Sequence, residues 1–152
     1  INYYSRDYIS FSLKSEHKFD IVPDLNAPRT DMNWEIFPQG MYDATMLAGS
    51  YGVPIYITEN GLADAADSRR KEFLCHHLEA LFWAKEDGAN VKGFIHRALT
   101  DNFEWLEGFG PRFGLIEIDY KTYKRTVRAS GFVYAEIAKA SSLVAACATK
   151  PN

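Results

Sequence analysis

The chain has 152 residues, of which 47% are hydrophobic and 24% charged, and it carries a formal net charge of −3. That balance suits one globular domain and argues against a nucleic-acid partner, which would call for a clustered basic surplus. No apolar run reaches the ~18 residues of a membrane span, and Cys75 and Cys147, far apart and without C-x-x-C spacing, give no ground for a disulfide scaffold or a zinc site. A reduced, cytoplasmic setting is therefore the expectation.

In chain order, the opening Ile-Asn-Tyr-Tyr lacks a Met and a leader pattern and reads as the end of a strand that begins elsewhere, so a fragment is expected. Residues 1–9 look extended, and 10–29, with Pro23, Asn26 and Pro28, read as an irregular polar loop. Met41, Tyr42, Thr45, Met46 and Ala48 recur at helical spacing after Pro38, and Gly49 and Gly52 stop that helix. Residues 53–58 form a short β-prone run expected to be buried on both faces. A long amphipathic helix starts at Asp67-Ser68, shows Phe73, Leu74, His77, Leu78, Leu81 and Phe82 on its apolar side, and ends at Gly88.

Residues 91–98 predict a second buried strand, and 99–112 an aromatic- and glycine-rich loop. Residues 113–118 predict a further strand, turned into a hairpin by 120–123. A last helix over 128–143 packs through Phe132, Val133, Ala135, Ile137 and Ala138. Strand, helix, strand, loop, strand, helix is the rhythm of a parallel α/β fold. A complete (β/α)₈ barrel needs about 250 residues, so residues 1–152 are expected to supply one segment of it, about the last three βα units.

Three strand ends carry polar chemistry. Glu59 closes the first buried strand, on the edge where barrel enzymes collect catalytic groups. Burying a carboxylate there is costly unless it is paired or used, although a Glu leaving the strand into solvent fits the position equally well. Thr100-Asp101-Asn102-Phe103-Glu104-Trp105 follows the second strand and has the composition of a sugar site. Carboxylates accept hydrogen bonds from vicinal hydroxyls, and aromatic faces stack on the pyranose C–H face. Asn2, Tyr3 and Tyr4 offer an amide and two phenols at a third strand end. The four histidines make no metal site: His76 and His77 are adjacent and cannot share a helix face, and His96 reads as a packed strand residue.

Residues 55–61, Ile-Tyr-Ile-Thr-Glu-Asn-Gly, resemble the nucleophile motif of glycoside hydrolase family 1, the β-glucosidase family. Asp101 to Trp105, Gly108 and Arg112-Phe113-Gly114-Leu115 resemble its sugar-binding loop, and residues 33–38 and Asn2-Tyr3-Tyr4 are similar to two further segments in the same order. The resemblance implies a retaining β-O-glycosidase without metal or organic cofactor. Glu59 would be the nucleophile and Tyr4 its orienting partner. Asn2, Glu104, Trp105 and Phe113 would bind the sugar. A carboxylate at Glu104 implies a non-phosphorylated glycone, since it would repel a phosphate.

Two departures qualify that implication. The family's acid/base Asn-Glu-Pro is absent, and a retaining mechanism needs two carboxylates about 5–5.5 Å apart. Glu16, Glu35 and Glu104 are the remaining candidates, and none stands in that motif. The chain alone is thus expected to be inactive, and its partners are a β-linked sugar and the N-terminal part of the same barrel, with no nucleic acid and no membrane. Second, Arg97 stands where the family usually has a Trp. It is expected either to pair with Glu59 or Glu104 and block the sugar, or to favour an anionic substrate. A non-catalytic carbohydrate-binding or structural remnant is the alternative reading of the whole.

Overall fold

A computed structural model describes residues 1–143 and 147. In order, the elements are β1 (Ile9–Phe11), β2 (Phe19–Ile21), α1 (Pro38–Gly49), β3 (Ile55–Asn60), α2 (Arg70–Glu86) and β4 (Val91–His96). A single 3₁₀ turn follows at Trp105–Glu107, then β5 (Ile116–Ile118), β6 (Arg125–Val127) and α3 (Ala129–Ala140).

β3 and β4 lie parallel, joined through α2, and the first residues of the chain extend the same sheet. Asn2 forms a parallel bridge with Glu59, the Thr58 amide donates to the Ile1 carbonyl at 2.9 Å, and the Tyr3 amide donates to the Glu59 carbonyl at 3.0 Å. Beyond β4 a parallel bridge joins Thr100 to Ile116. The strand ends at Asn2, Glu59 and Arg97 therefore sit side by side along one sheet edge. That adjacency follows from backbone pairing, before any side chain contributes.

The core fills the space between β3 and the helices, where Met41 of α1, Ile55 and Ile57 of β3, and Leu81 and Ala84 of α2 are buried together. Each large side chain removed from water there contributes roughly 1.5–3 kcal/mol. The strands differ from expectation on their other face. Tyr56 and Ile95 remain exposed, so β3 alternates between buried and open positions. Period-2 geometry sends neighbouring side chains to opposite faces, and among the described residues the helices cover only one of them.

Helix α2 begins two residues later than Asp67-Ser68, at Arg70. The buried Asp64 carboxylate accepts from the amides of Arg69 and Arg70 at 2.9 and 3.0 Å, which satisfies first-turn donors from outside the helix. On its apolar side Phe73, Leu74, His77 and Leu81 are buried, whereas Phe82 is exposed. In α3 the expected packing is met at Ile137, while Phe132 faces outward. The polar stretch read as an irregular loop contains an antiparallel ribbon, β1 with β2, pairing Ile9 with Ile21 and Phe11 with Phe19. The hairpin after residue 118 forms as expected, from β5 and β6 around Asp119 to Lys124.

Cys75 and Cys147 form a disulfide across 72 positions, with their Cα atoms 5.5 Å apart. This corrects the expectation drawn from spacing: a disulfide needs proximity in space, and Cys147 comes to rest beside the buried Cys75 of α2. The cysteines therefore give no ground for a reducing setting. No helix among the described residues is long and apolar enough to cross a membrane.

Candidate active site

Glu59 is the penultimate residue of β3 and is half-buried. The Tyr4 hydroxyl donates to its Oε2 at 2.5 Å. Burial raises the Tyr4 phenol well above its ordinary range, and the bond to Glu59 raises it further, because ionising the phenol would set two anions against each other. Tyr4 therefore remains a donor throughout the neutral range. Its ring is fixed edge-on against Trp34 (5.6 Å, 66°) and Phe113 (6.4 Å, 85°), and Trp34 meets Phe113 at 6.2 Å. Two rings from two other segments thus hold the phenol that touches Glu59.

Strand β3 ends one residue after Glu59, at Asn60. A Cβ at Gly61 would lie 1.6 Å from the Arg97 carbonyl oxygen, so only glycine lets the end of β3 pass this close to the end of β4. The approach also brings Arg97 to the site. Its Nη1 and Nη2 donate to Glu104 Oε1 and Oε2 at 3.1 and 2.7 Å, and its guanidinium carbon lies 4.8 Å from the Phe113 ring centre. Burial alone would weaken the Arg97 cation, but the bonds to Glu104 overcome that and leave it more firmly protonated than usual.

Asp101 holds the loop that carries Glu104. It is buried and accepts from the Gly114 amide at 2.9 Å and from both Nη atoms of Arg128 at 3.0 and 3.1 Å, with Arg112 at 3.3 Å. Burial opposes its ionisation, yet these donors outweigh the cost and hold its carboxyl below the usual carboxylate range. His96, at the end of β4, is buried and pushed down to about 3, first by burial and then by the nearby Arg70 charge. His77 is likewise pushed down to about 4 by burial and stacks on Phe73 at 3.8 Å.

The structure thus brings Tyr4, Glu59, Phe113, Arg97 and Glu104 together. Asn2 joins them through its backbone, while its side chain accepts from the Thr58 hydroxyl at 2.6 Å. Trp105 projects from its 3₁₀ turn 79% exposed. Of the two anticipated consequences of Arg97, the pairing with Glu104 is present; among the described residues no ion pair engages Glu59. The other spare carboxylates lie elsewhere: Glu35 is buried against Arg6 at 2.7 Å, and Glu16 sits in the exposed β1–β2 connection. Among the described residues no cluster of three metal-ligating side chains occurs.

Sequence reasoning gave Trp34 no role of its own and missed the Arg6–Glu35 pair. Both border a cavity of about 430 Å³ that Tyr4 also lines. The Asn33-Trp34-Glu35 triplet was the available signal. A larger apolar cavity, about 670 Å³, lies on the outer helical layer between Leu78, Phe82, Trp83 and Ile137, and Glu59 is not among its walls.

The sequence profile described as glycosyl hydrolase family 1 matches residues 1–143. The beta-galactosidase of Sulfolobus acidocaldarius is 36% identical over 156 aligned positions, covering 94% of this chain and 31% of that protein. The beta-glycosidase from Pyrococcus horikoshii is 43% identical and superposes with a TM-score of 0.85 over 91% of this chain and 33% of its own. The beta-glucosidase from Thermotoga maritima in complex with azafagomine gives 36% and 0.87, over 91% and 34%. The chain spans about a third of the length of these relatives.

Proposed function

Because this chain belongs to glycosyl hydrolase family 1, we propose that it supplies the nucleophile and part of the sugar wall of a retaining β-O-glycosidase. Its fold is a portion of the family's (β/α)₈ barrel, about one third of the whole, as the structural matches establish. The observation that carries the reading is the Tyr4–Glu59 bond at a parallel strand end. A carboxylate held by one neutral phenol through one oxygen leaves the other to face a substrate. A carboxylate clamped by arginines keeps its charge but is neutralised.

In this reading Glu59 attacks the anomeric carbon and forms a covalent glycosyl-enzyme, which water then hydrolyses. Tyr4 orients the carboxylate. Glu104 accepts from sugar hydroxyls, Trp105 covers the ring, and Asn2 and Phe113 complete the wall. The acid/base carboxylate comes from the remainder of the barrel, since Glu35 and Glu104 are both committed to arginines. The glycone is a non-phosphorylated sugar. A reading as a non-catalytic sugar-binding or structural remnant draws on the same Arg97–Glu104 clamp, and turnover separates the two.

The test is covalent trapping with a 2-deoxy-2-fluoro-β-glycoside bearing an activated leaving group, followed by digestion and mass spectrometry. The label is expected on the peptide containing Glu59 when the barrel is assembled. An assembled enzyme that turns over substrate while labelling another carboxylate would refute the assignment. An intact mass of every species in the preparation shows beforehand whether a partner chain is present.

A further inference from the structure

Arg97 is a permanent charge inside the cluster that holds the Tyr4–Glu59 pair, and the function proposed above gives it no task. Its position is fixed from two sides, by both oxygens of Glu104 and by the Phe113 ring whose edge also meets Tyr4. The Glu104 side chain is 7% exposed and the Arg97 side chain 20%, so each keeps a small open face and the base the larger one. A guanidinium has five N–H donors, and the fork to Glu104 uses two of them. Each Glu104 oxygen keeps a further lone pair. The pair therefore presents donors and acceptors side by side.

That arrangement matches a vicinal diol, in which every hydroxyl both donates and accepts. Charge excludes the opposite preference. With Glu59 and Glu104 set against Arg97, the cluster carries one net negative charge, and a carboxylated or phosphorylated sugar would be repelled. We propose that Arg97 is a specificity-determining residue which acts with Glu104 as one donor–acceptor unit for the hydroxyls of a neutral glycone. The proposal rests on the reading of Glu59 and Glu104 as parts of one sugar site. It turns the anticipated role of Arg97, as a plug or an anion anchor, into recognition of uncharged sugar.

The test compares the assembled glycosidase with its Arg97→Met and Arg97→Lys variants, on the 4-nitrophenyl β-glucoside, β-galactoside and β-glucuronide. The parent is expected to favour a neutral glycoside over the glucuronide by at least about tenfold in kcat/KM. Arg97→Met is expected to raise KM for that neutral substrate about tenfold, the loss of roughly one charged hydrogen bond, with a smaller effect on kcat. Arg97→Lys keeps the charge without the fork and is expected to raise KM about threefold. It also keeps the test decisive should the Met variant fail to fold. A neutral-substrate KM that stays within twofold or falls in the variants overturns the proposal in favour of a plug, and a parent that prefers the glucuronide overturns it in favour of an anion site.

Binding of isofagomine lactam, an uncharged analogue seen with the Thermotoga maritima relative, reads the same contact by calorimetry without turnover. About tenfold weaker binding in Arg97→Met is expected, and unchanged binding counts against the proposal. Failure of Glu59 to take the fluoro-sugar label, alongside lactam binding that depends on Arg97, would sink the nucleophile assignment alone.

Discussion

Glu59 lies at the end of one apolar parallel strand and Asp101 follows the next, yet the protein treats them in opposite ways. Asp101 is buried, accepts from two backbone amides, and faces two arginines. Glu59 is half-buried and held through one phenol. A carboxylate fully saturated with donors and cations organises its loop and has nothing left for a substrate. One held by a single neutral donor keeps nucleophilic lone pairs. Glu104 is intermediate, clamped by a single guanidinium that is itself partly open. Position on the sheet edge selects the candidates, and the count of donors around each decides its task.

The largest expected effect falls on the Glu59 side. Glu59→Gln in the assembled enzyme should lower hydrolysis of an activated β-glycoside by at least about 10⁴-fold with little change in melting temperature. Partial recovery on adding azide, with inverted product, would identify the lost group as the nucleophile. Comparable loss of stability would erase the contrast with Asp101.

Asp101→Asn should show the reverse pattern, because it leaves Arg128 buried without its anion. A loss of about 3 kcal/mol or more is expected in denaturant unfolding. The pH dependence carries a definite sign. Asp101 has a lowered folded-state pKa, so its contribution is present above the ordinary carboxylate pKa and disappears as pH falls through the folded value. The Asn variant should lack that part of the acid slope.

Tyr4→Phe sharpens the comparison by removing the single donor on Glu59. A charge-assisted hydrogen bond is worth about 1.5–3 kcal/mol, so kcat/KM should fall about 10- to 100-fold, with substrate trapping still at Glu59. An unchanged rate would mean that the phenol only packs against Trp34 and Phe113.

A last effect, away from the site's chemistry, concerns the histidines. His96 and His77 are held near 3 and 4 in the fold, below their ordinary value, so the unfolded chain takes up protons first as pH falls. Stability should drop as pH falls from about 6.5 through 4 toward 3. Replacing His77 with Leu should flatten that slope, as thermal melts across the range will show.

The candidate site was legible where local chemistry and order along the chain carry it. The Thr58-Glu59-Asn60-Gly61 strand end, the Tyr4 phenol and the Asp101–Trp105 loop were all visible as strand-end chemistry, because apolar runs and glycines mark where strands stop. Trp34 was not, because its contacts with Tyr4 and Phe113 join three segments distant in sequence. The β1–β2 ribbon hid for another reason: its strands are three residues long and wholly exposed, too short to show a period.

By itself the sequence determined the α/β rhythm, the helix after Pro38, the long helix before Gly88 to within a few residues at each end, and which acids stand at strand ends, because periodicity and turn chemistry are local. Only the tertiary structure decided how many donors each acid meets and that Arg97 pairs with Glu104 and leaves Glu59 to Tyr4. It also decided that Cys75 finds Cys147. Charges and thiols act across space, and the distances that govern them exist only once separate stretches of chain have packed together.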